Sequence, residues 1–401
     1  MVIDKNARVI LEFGLTWKSL YALHHEKYLA RPVTIGTDLF PEQFLDSLLG
    51  KKTGDEVTYS LGPGEAESSY REDYVLHMAR DDFRECNSCR AITPQFGRFY
   101  PWGFLRNLSG VFPQDVRPFR VIGIEGNSFI ADLNHPLATY PIELSIKVVK
   151  VSEKSPGRGG RVVSWIEEAT GNGPGMQARW QGRQTDFSSP MKYSRKDETV
   201  DSTFYMLPRL TGHVDSRASK FIQEVYAEGL NTGHHVLDLM SSVQSHLPCD
   251  MDLSVTGLGL NREELASNPR LKSFVIHDLN QNPVLPFPDR SFHTVLCSLS
   301  VEYLIDPLSV FNEVARVLMP GGRFFVSFSN RWFPPKTTCL WTELHEFERA
   351  GLVLDYFLSS GAFIDLQTFS ARNWKRPEDD PHYPEVLTSD PVYVVWGRRR
   401  A

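Results

Sequence analysis

HHVLDLMSSVQSHLP, residues 234–248, is the stretch on which the fold turns. Val236, Leu237 and Leu239 are apolar, as in a strand buried on both faces, and Asp238 sets one acid near its end. Residues 240–244 then make a turn without glycine, although a turn that approaches a ligand by its backbone ordinarily uses glycine.

Outward from this stretch, β and α patterns alternate. Upstream, RASKFIQEVYAEGLNTG is amphipathic, with Phe221, Ile222, Val225 and Tyr226 on one side and a stop at Gly229. Downstream come the strand LSVTGLG, the helix NREELAS, the strand SFVIHDL, the strand HTVLCSLS, the helix PLSVFNEVARVL, a PGG turn and the strand RFFVSFS. A helix near 341–360 and the strands FIDLQTF and PVYVVWG complete the chain. This order predicts an α/β domain over 203–401, with a mostly parallel sheet, helices on both faces and a closing hairpin at one edge.

Residues 1–151 read differently, as a β-rich α+β domain. ARVILEFGL and DEVTYSLG are strand candidates, VIGIEGNSFIADLNHP reads as two strands around Gly126-Asn127, and IELSIKVVKV alternates at period two. FLDSLLG is a short helix that stops on Gly50. Between the two domains, residues 152–202 are rich in Gly, Pro, Ser and charge, the composition of a linker or arm; Trp180 and Phe187 within it are residues that dock onto something.

The chain has 401 residues, enough for two or three domains, and is 41% hydrophobic and 23% charged, which suits a globular protein. No run approaches a membrane span, and the start lacks the pattern of a signal peptide. Five cysteines, an odd number in a large chain, point to reduced thiols and a cytoplasmic location. A net charge of −6 offers no general attraction to nucleic acid. Cys86 and Cys89 form one CxxC; a structural zinc needs four ligands, so the pair reads as ordinary thiols and no metal is expected.

VLDL, VTGLGLNREELA, the run LPFPDRSF, a helix ending EVARVL and the turn MPGG together resemble class I S-adenosylmethionine-dependent methyltransferases, specifically the type 11 branch in a DLMSS variant. The resemblance implies a Rossmann-like fold with a seven-stranded sheet, S-adenosyl-L-methionine as cofactor, and a ligand crevice at the C-terminal strand ends. Carried across by position, it implies Asp238 near the cofactor's amino group, Met240, Ser241 and Ser242 in the turn, and Gly259 where the family usually has a ribose-binding acid. Asn261 is a partial replacement for that acid, with Glu263 close behind. Asp278 and Leu279 would meet the adenine, and Ser298 would line the methyl-donor pocket. Asp278, Asn280 and Asn282 also fit turn chemistry alone.

Methyl transfer needs a nucleophile held in line and, where the nucleophile carries a proton, a base. The lead-in STFYMLPRLTGHVDSRA supplies Tyr205, Arg209 and His213; His213 is the candidate base and Arg209 the candidate anion-binding group. A helix lead-in with Asp215 as N-cap is the alternative reading of the same residues.

FPEQFLDSLLGKKTGDEVTYSLGPGEA and IADLNHPLATYPIELSIKVVKV resemble FKBP-type peptidyl-prolyl isomerases, the second stretch their SlyD-like branch, with an insert near 80–125. This implies an isomerase-like pocket of Leu39, Phe40, Phe44, Tyr70, His135 and Leu137. Departures are Pro41-Glu42 for the family's PG, one added residue before Gly54-Asp55, and no Tyr-Gly after the alanine; they leave isomerisation and plain peptide binding both open. The leading expectation is a methyltransferase, acting on a small-molecule or protein acceptor, with an FKBP-like module for a partner, substrate or proline-containing client. The alternative is an isomerase or chaperone whose methyltransferase-like domain is non-catalytic.

Overall fold

Alternate residues of β1 (Arg8–Lys18), from Val9 through Leu11, Phe13 and Leu15 to Trp17, are buried, the period of a strand with one face on a core. The computed structural model to which β1 belongs describes residues 1–401 except 67, 85–91, 154–161, 172–177 and 189–191, so Cys86 and Cys89 lie outside the described residues. The chain divides into two units, Met1–Phe187 and Ser188–Ala401.

In the first unit, β1 pairs antiparallel with β2 (Leu23–Thr34). The helix α1 (Glu42–Leu48) turns Phe44 and Leu48 into the core, and β3 (Glu56–Leu61) follows. A second antiparallel sheet is built from β4 (Val75–Ala79), β5 (Phe99–Pro101), β6 (Pro118–Glu125) and β7 (Ser128–Asp132), in the order β4-β7-β6-β5. It has its own core of Phe83, Tyr100, Phe119 and Phe129. The chain returns to the first sheet with β8 (Ile142–Ser152), which pairs antiparallel with both β1 and β3.

Composition reads 152–202 as a linker or arm rather than a core, and one stretch of it departs from that. The helix α2 (Trp165–Thr170) sends Trp165, Ile166 and Ala169 into the core of the first unit, and Trp165 Nε1 donates to Asp38 Oδ2 at 2.7 Å. A helix this short carries too few turns for its apolar face to register as a pattern. The strands β9 (Arg179–Trp180) and β10 (Arg183–Gln184) form a small hairpin before buried Phe187.

The second unit begins with α3 (Asp201–Phe204) and α4 (Ser216–Ala227). Then come β11 (His235–Leu239), β12 (Ser254–Gly259), α5 (Arg262–Ser267), β13 (Ser273–Ile276), β14 (Phe292–Ser298), α6 (Pro307–Val317) and β15 (Leu318–Phe328). The helices α7 (Cys339–Glu343) and α8 (Glu346–Ser360) precede β16 (Phe363–Arg372) and β17 (Val392–Arg399). The strands pair in the order β13-β12-β11-β14-β15-β17-β16. The first five run parallel, and β17 lies antiparallel between β15 and β16. It is an α/β fold with a mixed sheet.

Caps explain where the helices start and stop. Asp306 accepts from Ser309 N with Pro307 beginning α6, and Gly361, at φ +65°, ends α8 in the left-handed conformation. Parallel strands are buried on both faces, hence the continuous apolar runs Val295–Leu296–Cys297 and Phe324–Phe325–Val326. Among the described residues no helix is long and apolar enough to cross a membrane.

Candidate functional site

The C-terminal ends of β11, β12, β13 and β14 open into one cavity of about 280 Å³, close to the lower end of small-ligand clefts (roughly 300–1,000 Å³). It is lined by Tyr205, Arg209, His213, Asp238, Met240, Ser241, Ser242, Gly259, Asn261, Asp278, Leu279 and Ser298, while Glu263 lies outside it.

The glycine-free turn after β11 is built from side chains. Met240 keeps a left-handed backbone, φ +54°, a conformation that costs a non-glycine residue about 1–2 kcal/mol. Beyond it, Ser241 Oγ and Ser245 Oγ each donate to Asp238 Oδ2 at 2.6 Å. Asn268 Nδ2 donates to Ser242 O at 2.8 Å and to Ser245 Oγ at 3.0 Å. Burial pushes the Asp238 carboxyl up to about 6, and the two serine hydrogen bonds oppose that rise.

This turn passes so close to β12 that it dictates Gly259. A Cβ there would lie 2.4 Å from Ser241 O, while Ser241 N donates to Leu258 O at 2.8 Å. The position of the family's ribose acid therefore has no room for a side chain. A carboxylate that lines the cavity beside this position is Glu264, buried in the first turn of α5. Its Oε2 accepts from Ser242 Oγ at 2.6 Å and its Oε1 from Arg209 N at 2.7 Å. The replacement suggested by sequence, Asn261, is already committed. Its Oδ1 caps α5 by accepting from Glu263 N and Glu264 N, and its Nδ2 donates to Tyr205 O and Met206 O. Glu263 is exposed. Glu264 was legible as the third helical residue after an Asn cap, the position that points back toward the preceding turn.

Beyond β13, Asp278 Oδ1 accepts from Asn280 N at 2.9 Å, the turn chemistry its sequence allows. Its Oδ2 is buried against the cavity with no hydrogen-bond partner. Ser298 is less available: Tyr226 OH lies 2.8 Å from its Oγ and 2.7 Å from Ser327 Oγ. Leu299 follows in a left-handed conformation, φ +55°.

The lead-in is pinned at both ends. Asp201 pairs with Arg195 at 2.8 Å and with fully buried Lys336 at 3.2 Å, and accepts from Asn280 Nδ2 at 2.8 Å. Asp215 caps α4 and also accepts from Ser389 Oγ and Asp390 N, while Arg376 joins Asp215 to Asp390. Asp215 is the N-cap of the alternative reading, and Tyr205, Arg209 and His213 before it line the cavity. His213 is held neutral by burial, which lowers its pKa; nearby Glu264 opposes this, while Arg209 and Arg331 reinforce it. Burial, helped by Asp201 and Glu302, pushes the Tyr205 phenol up, so it remains a donor. His246, from the same turn, contacts Ser219 Oγ through Nδ1 at 2.9 Å and is lowered to about 4 by burial and by His213. Sequence reasoning missed His246, Arg331 and Phe333; the RWF triplet after β15 was the available signal for the last two.

Comparison with known proteins follows from this geometry. The family model "Methyltransferase domain" matches residues 229–326. The second unit carries a methyltransferase domain. The cofactor such a domain implies is S-adenosylmethionine, and it implies a methyl-accepting substrate. Over 137 residues the chain is 27% identical to the malonyl-[acyl-carrier protein] O-methyltransferase of Marinomonas, covering 34% of this chain and 48% of that enzyme. Over 125 residues it is 32% identical to the ubiquinone biosynthesis O-methyltransferase of Proteus mirabilis, covering 28% of this chain and 50% of that enzyme. The chain thus spans about half the length of these two methyltransferases. Over 151 residues it is 24% identical to the FKBP-type 16 kDa peptidyl-prolyl cis-trans isomerase of Escherichia coli, covering 37% of this chain and 93% of that protein.

Outside the methyltransferase unit, the six residues of the expected isomerase-like pocket are dispersed in burial. Phe44 and Leu137 are core side chains, 0% and 1% exposed; α1 turns Phe44 into that core, where it meets Tyr59 edge-on at 4.6 Å. Phe40 is half-buried against that core, while Leu39 and Tyr70 are exposed. His135, neutral through burial at about 4, accepts from Leu137 N at 3.1 Å.

Proposed function

We propose that this chain is an S-adenosylmethionine-dependent methyltransferase whose donor site is the cavity at the ends of β11–β14. The observation that carries the reading is the Asp278 carboxylate oxygen, buried against that cavity and without a partner. A buried acceptor of this kind calls for a donor from a ligand, and the exocyclic amine of adenine is such a donor. Leu279 supplies an apolar wall beside it, and Glu264 is the acid present where Gly259 cannot carry one. Asp238 and the serine-braced turn complete the donor end. These residues fit the cofactor.

When bound, S-adenosylmethionine supplies a methyl group on a positively charged sulfur. The chain itself orients the reactants and excludes water. Neutral His213 is the group able to take a proton from a nucleophile that carries one, Tyr205 a hydrogen-bond donor, and Arg209 a receptor for negative charge. A small-molecule acceptor fits a cavity of this size, and a protein side chain entering it is the second option.

For the first unit we propose an FKBP-like module that recognises a partner or a proline-containing segment; the likeness to the E. coli isomerase supports it. With Phe44 and Leu137 in the core, binding is the better-supported role than isomerisation. A proline-peptide isomerisation assay at high protein concentration decides this, with no acceleration expected.

Calorimetric titration tests the donor site. S-adenosylhomocysteine is expected to bind at micromolar to sub-millimolar Kd. Asp278→Asn keeps the Oδ1 turn contact but loses the free acceptor, and should weaken binding about tenfold, the size of one hydrogen bond to a charged group. A flat titration of folded wild-type protein would refute the reading.

A further inference from the structure

We infer that the methyl acceptor is a carboxylate with an apolar body, held by Arg209, and that the product is a methyl ester; this rests on the donor-site reading above.

The Arg209 guanidinium is a half-buried cation that pairs with no carboxylate among the described residues. Its guanidinium lies over the rings of Phe204 and Phe333, each at 4.8 Å, and of Tyr205 at 5.5 Å. Its Nη1 is buried and has no hydrogen-bond partner, and Nη2 has only a long contact of 3.5 Å to Phe204 O. The acids around it are otherwise engaged. Asp201 is neutralised by Arg195 and Lys336, and Glu264 receives the Arg209 backbone N–H and Ser242. A caged guanidinium keeps only its planar N–H edge free, the shape that pairs with a planar, two-oxygen anion.

Place separates this site from the donor's. The groups suited to the nucleoside, Asp278, Gly259 and Asp238, stand at the ends of β13, β12 and β11, whereas the ring beneath Arg209 follows β15. Charge narrows the class further. Asp238, Glu264 and Asp278 line the same cavity, so a monoanion matched to one arginine is tolerated where a dianionic phosphate is repelled. On the same lead-in, within three residues of Arg209 in the chain, Met206, Leu207 and Leu210 are 69%, 73% and 53% exposed. An acceptor with a charged head and an apolar body meets both.

The step balances without a base. One acceptor oxygen attacks the methyl carbon, the new O–CH₃ bond forming as the CH₃–S bond breaks. Both electrons of the broken bond pass to sulfur, leaving a neutral methyl ester and a neutral thioether, with no proton exchanged.

The test compares octanoate with octanamide by calorimetry on the full chain, with and without saturating S-adenosylhomocysteine. Octanoate should bind at least tenfold tighter than its neutral isostere. Arg209→Gln should abolish that preference while leaving S-adenosylhomocysteine affinity within twofold. Arg209→Lys, which keeps the charge but not the planar fork, should retain part of it and guards against a folding defect in the first variant. Equal binding of the two probes, or binding of neither, would overturn the proposal. A tenfold loss of S-adenosylhomocysteine affinity in both variants would also overturn it, by assigning Arg209 to the donor's own carboxylate. The titration without S-adenosylhomocysteine reads Arg209 even if the donor site itself fails.

Discussion

Burial perturbs ionisable groups in both units, but to different ends. In the first, His24 is pushed down to about 3 by burial and by neighbouring His25, stacks on Trp17 at 3.8 Å and contacts Ser19 Oγ at 2.8 Å. His135 titrates low elsewhere in that unit, beside the core residue Leu137. For both, burial itself is the largest cause. In the second unit Asp238, His213, His246 and Tyr205 all titrate abnormally and all line one cavity. Isolated shifts accompany packing; convergent shifts around a cleft accompany chemistry.

The largest effect expected from breaking this contrast lies in the first unit. Phe44→Ala removes a fully buried ring and should destabilise that unit by about 3–5 kcal/mol. Since every cavity-lining residue belongs to the second unit, S-adenosylhomocysteine affinity should stay within twofold below the melting transition. Loss of that binding in still-folded protein would dissolve the contrast.

Gly259→Ala comes next. Its Cβ would meet a backbone carbonyl at 2.4 Å, and the turn cannot yield without giving up the Ser241 N–H to Leu258 O bond. Denaturant melts should show a loss on the order of 2–3 kcal/mol. Donor binding should fall at least tenfold, and unchanged binding would show that the turn does not shape the site.

A smaller effect concerns Glu302, in the turn Val301–Tyr303 after β14. Its carboxyl is fully buried, neither oxygen has a partner, and burial raises its pKa to about 8. The folded state therefore keeps a proton that the unfolded chain releases near pH 4.5. The stability this group contributes is complete below pH 4.5 and is lost as pH rises through 8. Glu302→Gln should match wild type at pH 4.5 and exceed it at pH 8 by on the order of 2 kcal/mol. Parallel pH profiles in urea melts would show that the carboxyl is hydrated.

Much of the second unit was legible because its signals are local. Apolar runs of strand length, an Asp before α4 and Asp-Pro before α6 each act within a few residues, whereas Pro320-Gly321-Gly322, read as a turn before the strand, lies inside β15. The residues proposed for the donor were legible by their places at strand ends. Glu264 and Phe333 were less so, since what brings them to the cavity is a turn crossing β12 and a ring packing under Arg209, both non-local. The misreading of 152–202 has the same root: Trp165 gains its place from Asp38, more than a hundred residues away.

From sequence alone came the alternation that makes a parallel sheet, the acids at its strand ends and the cation in the lead-in. Those follow from the period of buried strands and from chemistry carried by single side chains. Tertiary structure decided that serines can brace a turn without glycine, that Gly259 must be glycine, and that the acid reaching the cavity from α5 is Glu264. Each of these depends on which atoms approach within hydrogen-bonding or van der Waals distance across the chain, and no periodicity in one strand encodes that.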